Sequence, residues 1–308
     1  MTFGEPFDCL KLMENHPWVT KLFTQFHGAV ILATCRFFPG LETLLEWIVP
    51  RSVMDLRWEL FRRTQEKMTK RLNSDTDRLD FIHYVKRHND EKGMTRDEID
   101  SSFTSLCIAG GETTGTFLSS ATYYLIQNPH AMAKLVSEIR DTFAREEDMS
   151  DSRLEELPYL GAVIKETLRL APPLASGHPR QVPAGGRHVG GHFLPENTVV
   201  EVVNWAAMRS AKNFRDPDSF IPERWLVHNG FDDHNAWGPF SLGPRGCIGR
   251  PLANVEMRVI LARVLWNFDL QVPGGGDKVG WEWSSQDVFL VWNKRPLYVE
   301  VKVVGTES

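Results

Sequence analysis

The sequence predicts a mainly α-helical single domain spanning residues 1–308 with a small β region, an α+β arrangement. Three observations carry that expectation. A helical pattern opens at Thr95-Arg96-Asp97-Glu98 and runs without a break to Asn128-Pro129. Three further stretches, 130–143, 158–170 and 250–266, also read as helices. Strand-like runs begin only after residue 185, and all of them are short.

Each element has a local reason. Thr95 and Glu98 have the spacing of a capping box, just ahead of an apolar run. The helix they start ends where Pro129 restricts Asn128. Some thirty residues at ~1.5 Å each make it roughly 45 Å long. Upstream, 17–72 has helical texture broken around Pro39-Gly40 and Pro50, and 57–72 has the mixed face of a surface helix. The tracts 75–77 and 88–93 are polar connectors. Beyond Pro172-Pro173, glycine pairs at 185–186 and 190–191 and Pro195 punctuate strand-like runs such as 198–203, and 288–292 and 297–304 follow near the C-terminus. The stretch 213–249 lacks periodicity yet carries Phe214, Phe220, Trp225, Phe231, Trp237 and Phe240, as a packed functional loop does.

Composition narrows the function. The chain is 42% hydrophobic and 24% charged, enough for a large core, and no linker or internal repeat divides it. A net charge of -5 argues against a general nucleic-acid binder. Cys9, Cys35, Cys107 and Cys247 are too far apart for a zinc ribbon or a disulfide framework. No stretch approaches the roughly 18 to 20 apolar residues of a membrane span, and no signal peptide opens the chain, which is expected to be soluble and intracellular by itself.

The most informative segment is Phe240-Ser241-Leu242-Gly243-Pro244-Arg245-Gly246-Cys247-Ile248-Gly249, followed at once by a helix. Glycines let backbone approach a large flat group closely. Amides turned toward the sulfur and the positive end of the following helix favour thiolate over thiol. Such a thiolate can ligate iron and assist O–O cleavage. A cysteine in a glycine turn is by itself more often a small hydrophobe. A second segment, Ala109-Gly110-Gly111-Glu112-Thr113-Thr114, sits inside the long helix. Adjacent mid-helix glycines cost up to ~1 kcal/mol each and are tolerated where something lies against bare backbone, a neighbouring helix being the commoner reason. Glu112 and Thr113 supply an acid and an alcohol suited to relaying protons. Glu166 and Arg169 share one helix face, and Pro222-Glu223-Arg224-Trp225 follows.

These motifs together resemble the cytochrome P450 family. Phe240, Gly243, Arg245, Cys247 and Gly249 match every fixed position of its haem-binding signature, a coincidence expected well below ~1 in 1,000 from average residue usage. The resemblance extends over the whole chain and is closest in texture to fungal enzymes of secondary metabolism. It implies haem b (iron protoporphyrin IX), with Cys247 as the iron ligand and Gly110, Phe240 and Gly249 against the cofactor. Arg180 and Arg245 would bind its carboxylates. Thr113 would hold dioxygen and its waters, and Glu112 would feed protons. Glu166, Arg169 and Arg224 would form a structural cluster fixing the thiolate loop. His178, beside Arg180, is discounted as an iron ligand.

The implied activity is monooxygenation of a small lipophilic substrate entering between the long helix and segments 173–176 and 284–287. Electrons would come from an NADPH-cytochrome reductase, a flavoprotein. Around the loop, Arg245, Arg250, Arg258 and Arg263 outnumber Glu256, giving either a basic face for that donor or a solvated helix face. Two other readings stay open: a haem-thiolate isomerase or dehydratase needing no reductase, and a remnant without catalysis. Family members begin with an endoplasmic-reticulum anchor and further elements, so the chain reads as truncated, with membrane association only through that missing anchor. The family's Trp-x-x-x-Arg is not assigned, because Trp58 and Arg62, four apart, lie in a helix placed too late.

Overall fold

A computed structural model describes residues 51–305 apart from 75, 77, 89–92, 228–229 and 277, together with 11, 35, 38, 40 and 41. Side chains of 51–60, 63 and 88 lie outside the description, as do Cys9 and nearly all of the helical texture expected over 17–50. Two compact units are present, Met1–Gly111 and Glu112–Ser308, and each is taken by itself.

In the first unit, α1 (Arg51–Asn73), α2 (Phe81–His88) and the start of α3 (Arg96–Gln127) gather Met68, Ile82, Ile99 and Phe103 into a small core. The expected capping box forms: the Thr95 amide donates to the Glu98 carboxylate at 2.7 Å, and the Glu98 amide donates to Thr95 Oγ1 at 3.3 Å. The link between α1 and α2 is polar. Arg71 grips Asp80 through Nε (2.8 Å) and Nη2 (2.9 Å), both side chains buried, while Asp80 accepts the His83 amide at 3.0 Å.

Burial opposes ionisation of Asp80. The Arg71 bonds, the His83 amide and the charges of Arg71 and Arg78 outweigh it and hold its carboxyl below the ordinary value of 3.8. A carboxyl depressed on folding contributes stability above its unfolded value, and that contribution is lost as pH falls through the folded one. Urea unfolding measured against pH is therefore expected to show wild-type stability falling as acid is added below about pH 4. The Asp80→Asn variant should be less stable at neutrality and show a shallower fall over that window.

The second unit is a four-helix core. The C-terminal half of α3, α4 (Pro129–Thr142), α6 (Pro158–Leu170) and α8 (Arg250–Asn267) bury Phe117, Leu125, Leu135, Ile139, Leu160 and Leu261 together. These helices fall within a residue or so of the boundaries the sequence predicts. Their ends are closed by side chains from neighbours. Leu157 offers α6 no side-chain cap, and the Glu138 carboxylate on α4 accepts the Tyr159 and Leu160 amides, both at 2.8 Å. Arg140 donates to the Leu265 carbonyl at 2.7 Å, near the end of α8. A short helix, α5 (Asp151–Glu155), not anticipated from the sequence, starts on a Ser150 side-chain cap and packs beside α8.

Among the described residues the β region consists of four two-stranded antiparallel pairs: β1 (Arg180–Gln181) with β4 (Val199–Val200), β2 (Arg187–Val189) with β3 (His192–Leu194), β5 (Phe268–Gln271) with β8 (Glu300–Val303), and β6 (Val288–Phe289) with β7 (Val291–Trp292). Two expected strands come out differently. The run 198–203 pairs only at Val199–Val200, and α7 (Asn204–Met208) begins soon after. The run 288–292 folds back on itself at Leu290, which has φ 67°. A left-handed non-glycine residue costs about 1–2 kcal/mol. Burial of Val291 and Trp292 offsets that cost here, with Leu290 itself left 40% exposed.

Candidate haem-thiolate site

The site is best built from its foundation. Glu166, wholly buried on α6, accepts from Arg169 Nε and Nη2 (both 2.9 Å), Arg224 Nε (3.1 Å), the Ile221 amide (2.9 Å) and Trp225 Nε1 (2.9 Å). Arg169 then donates to the carbonyls of Met208, Pro217 and Ser219, so one guanidinium gathers the irregular segment onto the helix. Arg224 spends its other arm on Asp232 at 2.8 Å, also buried. The expected trio is thus a quartet of two acids and two bases. Asp232 was invisible to motif reading because its only cue is its fold position. Without it the cluster would bury a net positive charge.

Aromatic side chains carry this foundation to the cysteine. Trp225, bonded to Glu166, meets Trp237 edge-on with ring centroids 5.8 Å apart. Trp237 donates to the Lys165 carbonyl at 3.0 Å and packs against Phe240 at 6.5 Å. Phe240 closes the chain, its carbonyl accepting the Cys247 amide at 2.8 Å. The long loop is therefore packed, as its aromatic content implied, and the cluster reaches the thiolate turn through three rings.

The turn itself is tightly shaped. Gly243 has φ 73°, a value L side chains rarely adopt, and the Gly246 amide bonds back to its carbonyl at 2.9 Å. A Cβ placed at Gly249 would lie 3.8 Å from Cys247 Sγ, so that glycine leaves the side of the sulfur bare. Helix α8 starts at Arg250, just beyond. Cys247 is exposed, as are Leu242 (79%) and Ile248 (87%) in the same turn. Arg250 rests over the Phe240 ring at 5.6 Å. Arg245 is exposed beside the cysteine, and Arg180 is exposed on β1, bonded to the His178 and Pro179 carbonyls. Among the described residues neither arginine has a carboxylate partner.

The glycine-containing stretch of α3 is exposed at Ala109, Gly110 and Gly111, and a Cβ built on either glycine would meet nothing within 4 Å. Glu112 is buried and paired with Lys294, a partner 182 residues away with no sequence cue. Thr113 is half-buried. Its neighbour Thr114 donates to Glu256 at 3.0 Å, which ties this part of α3 to the helix that follows Cys247. Of the four arginines around the loop, two have acidic partners. Arg258 is neutralised by Asp151 at 2.8 Å, and Arg263 approaches Glu146 at 3.7 Å. Both acids come from the unanticipated α5 and the turn before it.

Comparison with known proteins agrees with this geometry. The cytochrome P450 family model matches residues 1–301. Cytochrome P450 monooxygenase lcsI of Purpureocillium lilacinum is 40% identical over 99% of this chain and 59% of its own length. Cytochrome P450 monooxygenase astJ of Aspergillus oryzae is 38% identical over 98% and 60%, and the trichothecene C-15 hydroxylase of Fusarium sporotrichioides 40% over 97% and 61%. The chain thus spans about three fifths of the length of these relatives. The crystal structure of the cytochrome P450DA haem domain superposes with a TM-score of 0.80 at 20% identity, covering 98% of this chain and 64% of that one, which establishes the shared fold. With the signature turn, the buried quartet beneath it and a family match along nearly its whole length, the chain belongs to the cytochrome P450 family.

Proposed function

We propose that this chain is the haem-bearing part of a monooxygenase that inserts one oxygen atom of O₂ into a small lipophilic substrate, with residues 1–308 forming the C-terminal portion of a single haem domain. The observation that carries the reading is the Cys247 turn. Its amide is committed to Phe240, the residue is exposed, no side chain stands at Gly249 beside the sulfur, and the same turn exposes Leu242 and Ile248. Haem b fits that donor set. Cys247 would ligate the iron, Arg245 and Arg180 would pair with the two carboxylates, and Phe240 would lie against the ring.

When bound, thiolate-ligated haem supplies dioxygen binding and O–O cleavage. The remaining work falls to the chain. The balance RH + O₂ + 2 e⁻ + 2 H⁺ → ROH + H₂O needs two protons, and Glu112 with Thr113 would be the acid–alcohol pair that holds and passes them. Electrons would come from NADPH through a flavin-containing cytochrome reductase. The name of the trichothecene C-15 hydroxylase supports hydroxylation of a small fungal metabolite as the reaction class.

Among the described residues no helix is long and apolar enough to cross a membrane. The test is the carbon monoxide complex of the reduced, haem-loaded chain. A Soret band with the thiolate red-shift is expected, and an unshifted band would overturn the assignment. NADPH dependence of turnover separates this activity from a reductase-free isomerase or dehydratase.

A further inference from the structure

The least expected contact of the site is the one made by Lys294. It lies just beyond β7, on a C-terminal loop fastened at several points. Trp292 Nε1 donates to the Pro172 carbonyl (2.7 Å), the Asn293 amide to the Asp287 carbonyl (2.9 Å), and the Arg295 amide to the buried Gln286 side chain (2.6 Å). From this anchored loop Lys294 Nζ donates to Glu112 Oε1 and, at 2.9 Å, to Thr116 Oγ1. Thr116 donates to the same Glu112 oxygen at 3.0 Å. The three groups form a closed triangle whose members are 19% exposed or less.

A carboxylate left alone at such depth would lose its hydration without compensation. A lysine brought to it by an independently fastened loop answers that need and also fixes where the carboxylate points, toward the turn of α3 that carries Thr116. We propose that Lys294 is the positioning residue for Glu112. It holds the carboxylate against Thr116 and sets the direction from which Glu112 passes protons toward Thr113. Gln286 and Asp287, in the 284–287 segment expected beside the substrate, accept the Arg295 and Asn293 amides, so the seating of that segment is coupled to the orientation of the acid. This inference rests on the proposed monooxygenase reading.

The test has two arms. In the first, which needs no cofactor, the full chain is acylated with a limiting amine-selective reagent, and Lys294 modification is read by peptide mass spectrometry. Modification several-fold faster in Glu112→Gln than in wild type is expected, with circular dichroism confirming the fold, and equal rates would overturn the proposal. The second arm uses haem-loaded protein with NADPH and reductase. Lys294→Met should slow turnover by up to roughly 10²-fold, the scale of a misplaced catalytic group. It should also divert electrons to hydrogen peroxide and enlarge the effect of D₂O on rate. Lys294→Arg should restore most of the coupling, and Lys294→Met combined with Glu112→Gln should be no worse than Glu112→Gln alone. A Lys294→Met protein that loses melting temperature and haem content while its peroxide fraction stays unchanged would reduce Lys294 to a structural role and sink the proposal. If wild type takes up no haem, the monooxygenase reading fails, and the acylation comparison alone decides whether Glu112 holds Lys294.

Discussion

Cys247→Ala is expected to abolish the red-shifted carbon monoxide band and all NADPH-dependent oxygenation while leaving the fold intact. The side chain is exposed, and the bond that shapes the turn is made by its amide, which alanine retains. Surface substitutions of this kind stay within about 0.5 kcal/mol. The same holds for Cys247→Ser, whose oxygen is a poor substitute for a soft thiolate on iron. Absorbance spectra taken beside thermal unfolding curves check both halves. A variant that keeps the shifted band would remove Cys247 as the ligand. One that unfolds instead would show that the turn depends on the sulfur itself.

Glu166→Gln should produce the largest loss of stability. Five donors converge on that carboxylate, and its neutralisation leaves two buried guanidinium charges against the single negative charge of Asp232, which bonds Arg224. Breaking a buried ionic network by removing one partner costs about 3–5 kcal/mol. For a unit of this size that lowers the melting temperature by roughly 6–20 °C. The loss should also reach the thiolate turn, since Trp225 gives up its acceptor and its ring supports Trp237 and Phe240. Haem uptake by Glu166→Gln is therefore expected to weaken even at temperatures where the protein is still folded. Removing Glu166 and Arg169 together leaves the neutral Arg224–Asp232 pair, so the double variant should cost less than the sum of the two single ones. Differential scanning calorimetry of the three proteins measures this. Strict additivity would show that the quartet does not act as a unit.

The legibility of this molecule follows the range of the interactions involved. Helix boundaries at Arg96, Pro158 and Arg250 could be read because caps and prolines act within one turn of chain. The Cys247 turn was legible for the same reason, its glycines and cysteine being consecutive. Glu166 and Arg169, three apart on a helix, announced themselves. Asp232, which completes their charge balance, did not, because an aspartate in a polar loop has no distinguishing neighbour. The strand run 288–292 misled because its alternation was right but the turn at Leu290 depends on what Val291 and Trp292 find to bury against. The partners of Arg258 and Arg263 on α8 were not legible, since the acids that pair with them lie about a hundred residues earlier in the chain.

What the sequence determined by itself is thus the helical frame, the glycine-lined cysteine and the family that both imply, all fixed by patterns a few residues long. Tertiary structure alone decided which charges are partnered: Asp232 on Arg224, Glu256 on Thr114, Lys294 on Glu112. The physical reason is that the partner of a charged side chain is specified by distance in space. Two of these pairs join residues 142 and 182 positions apart, and no local preference of the chain encodes so distant a meeting.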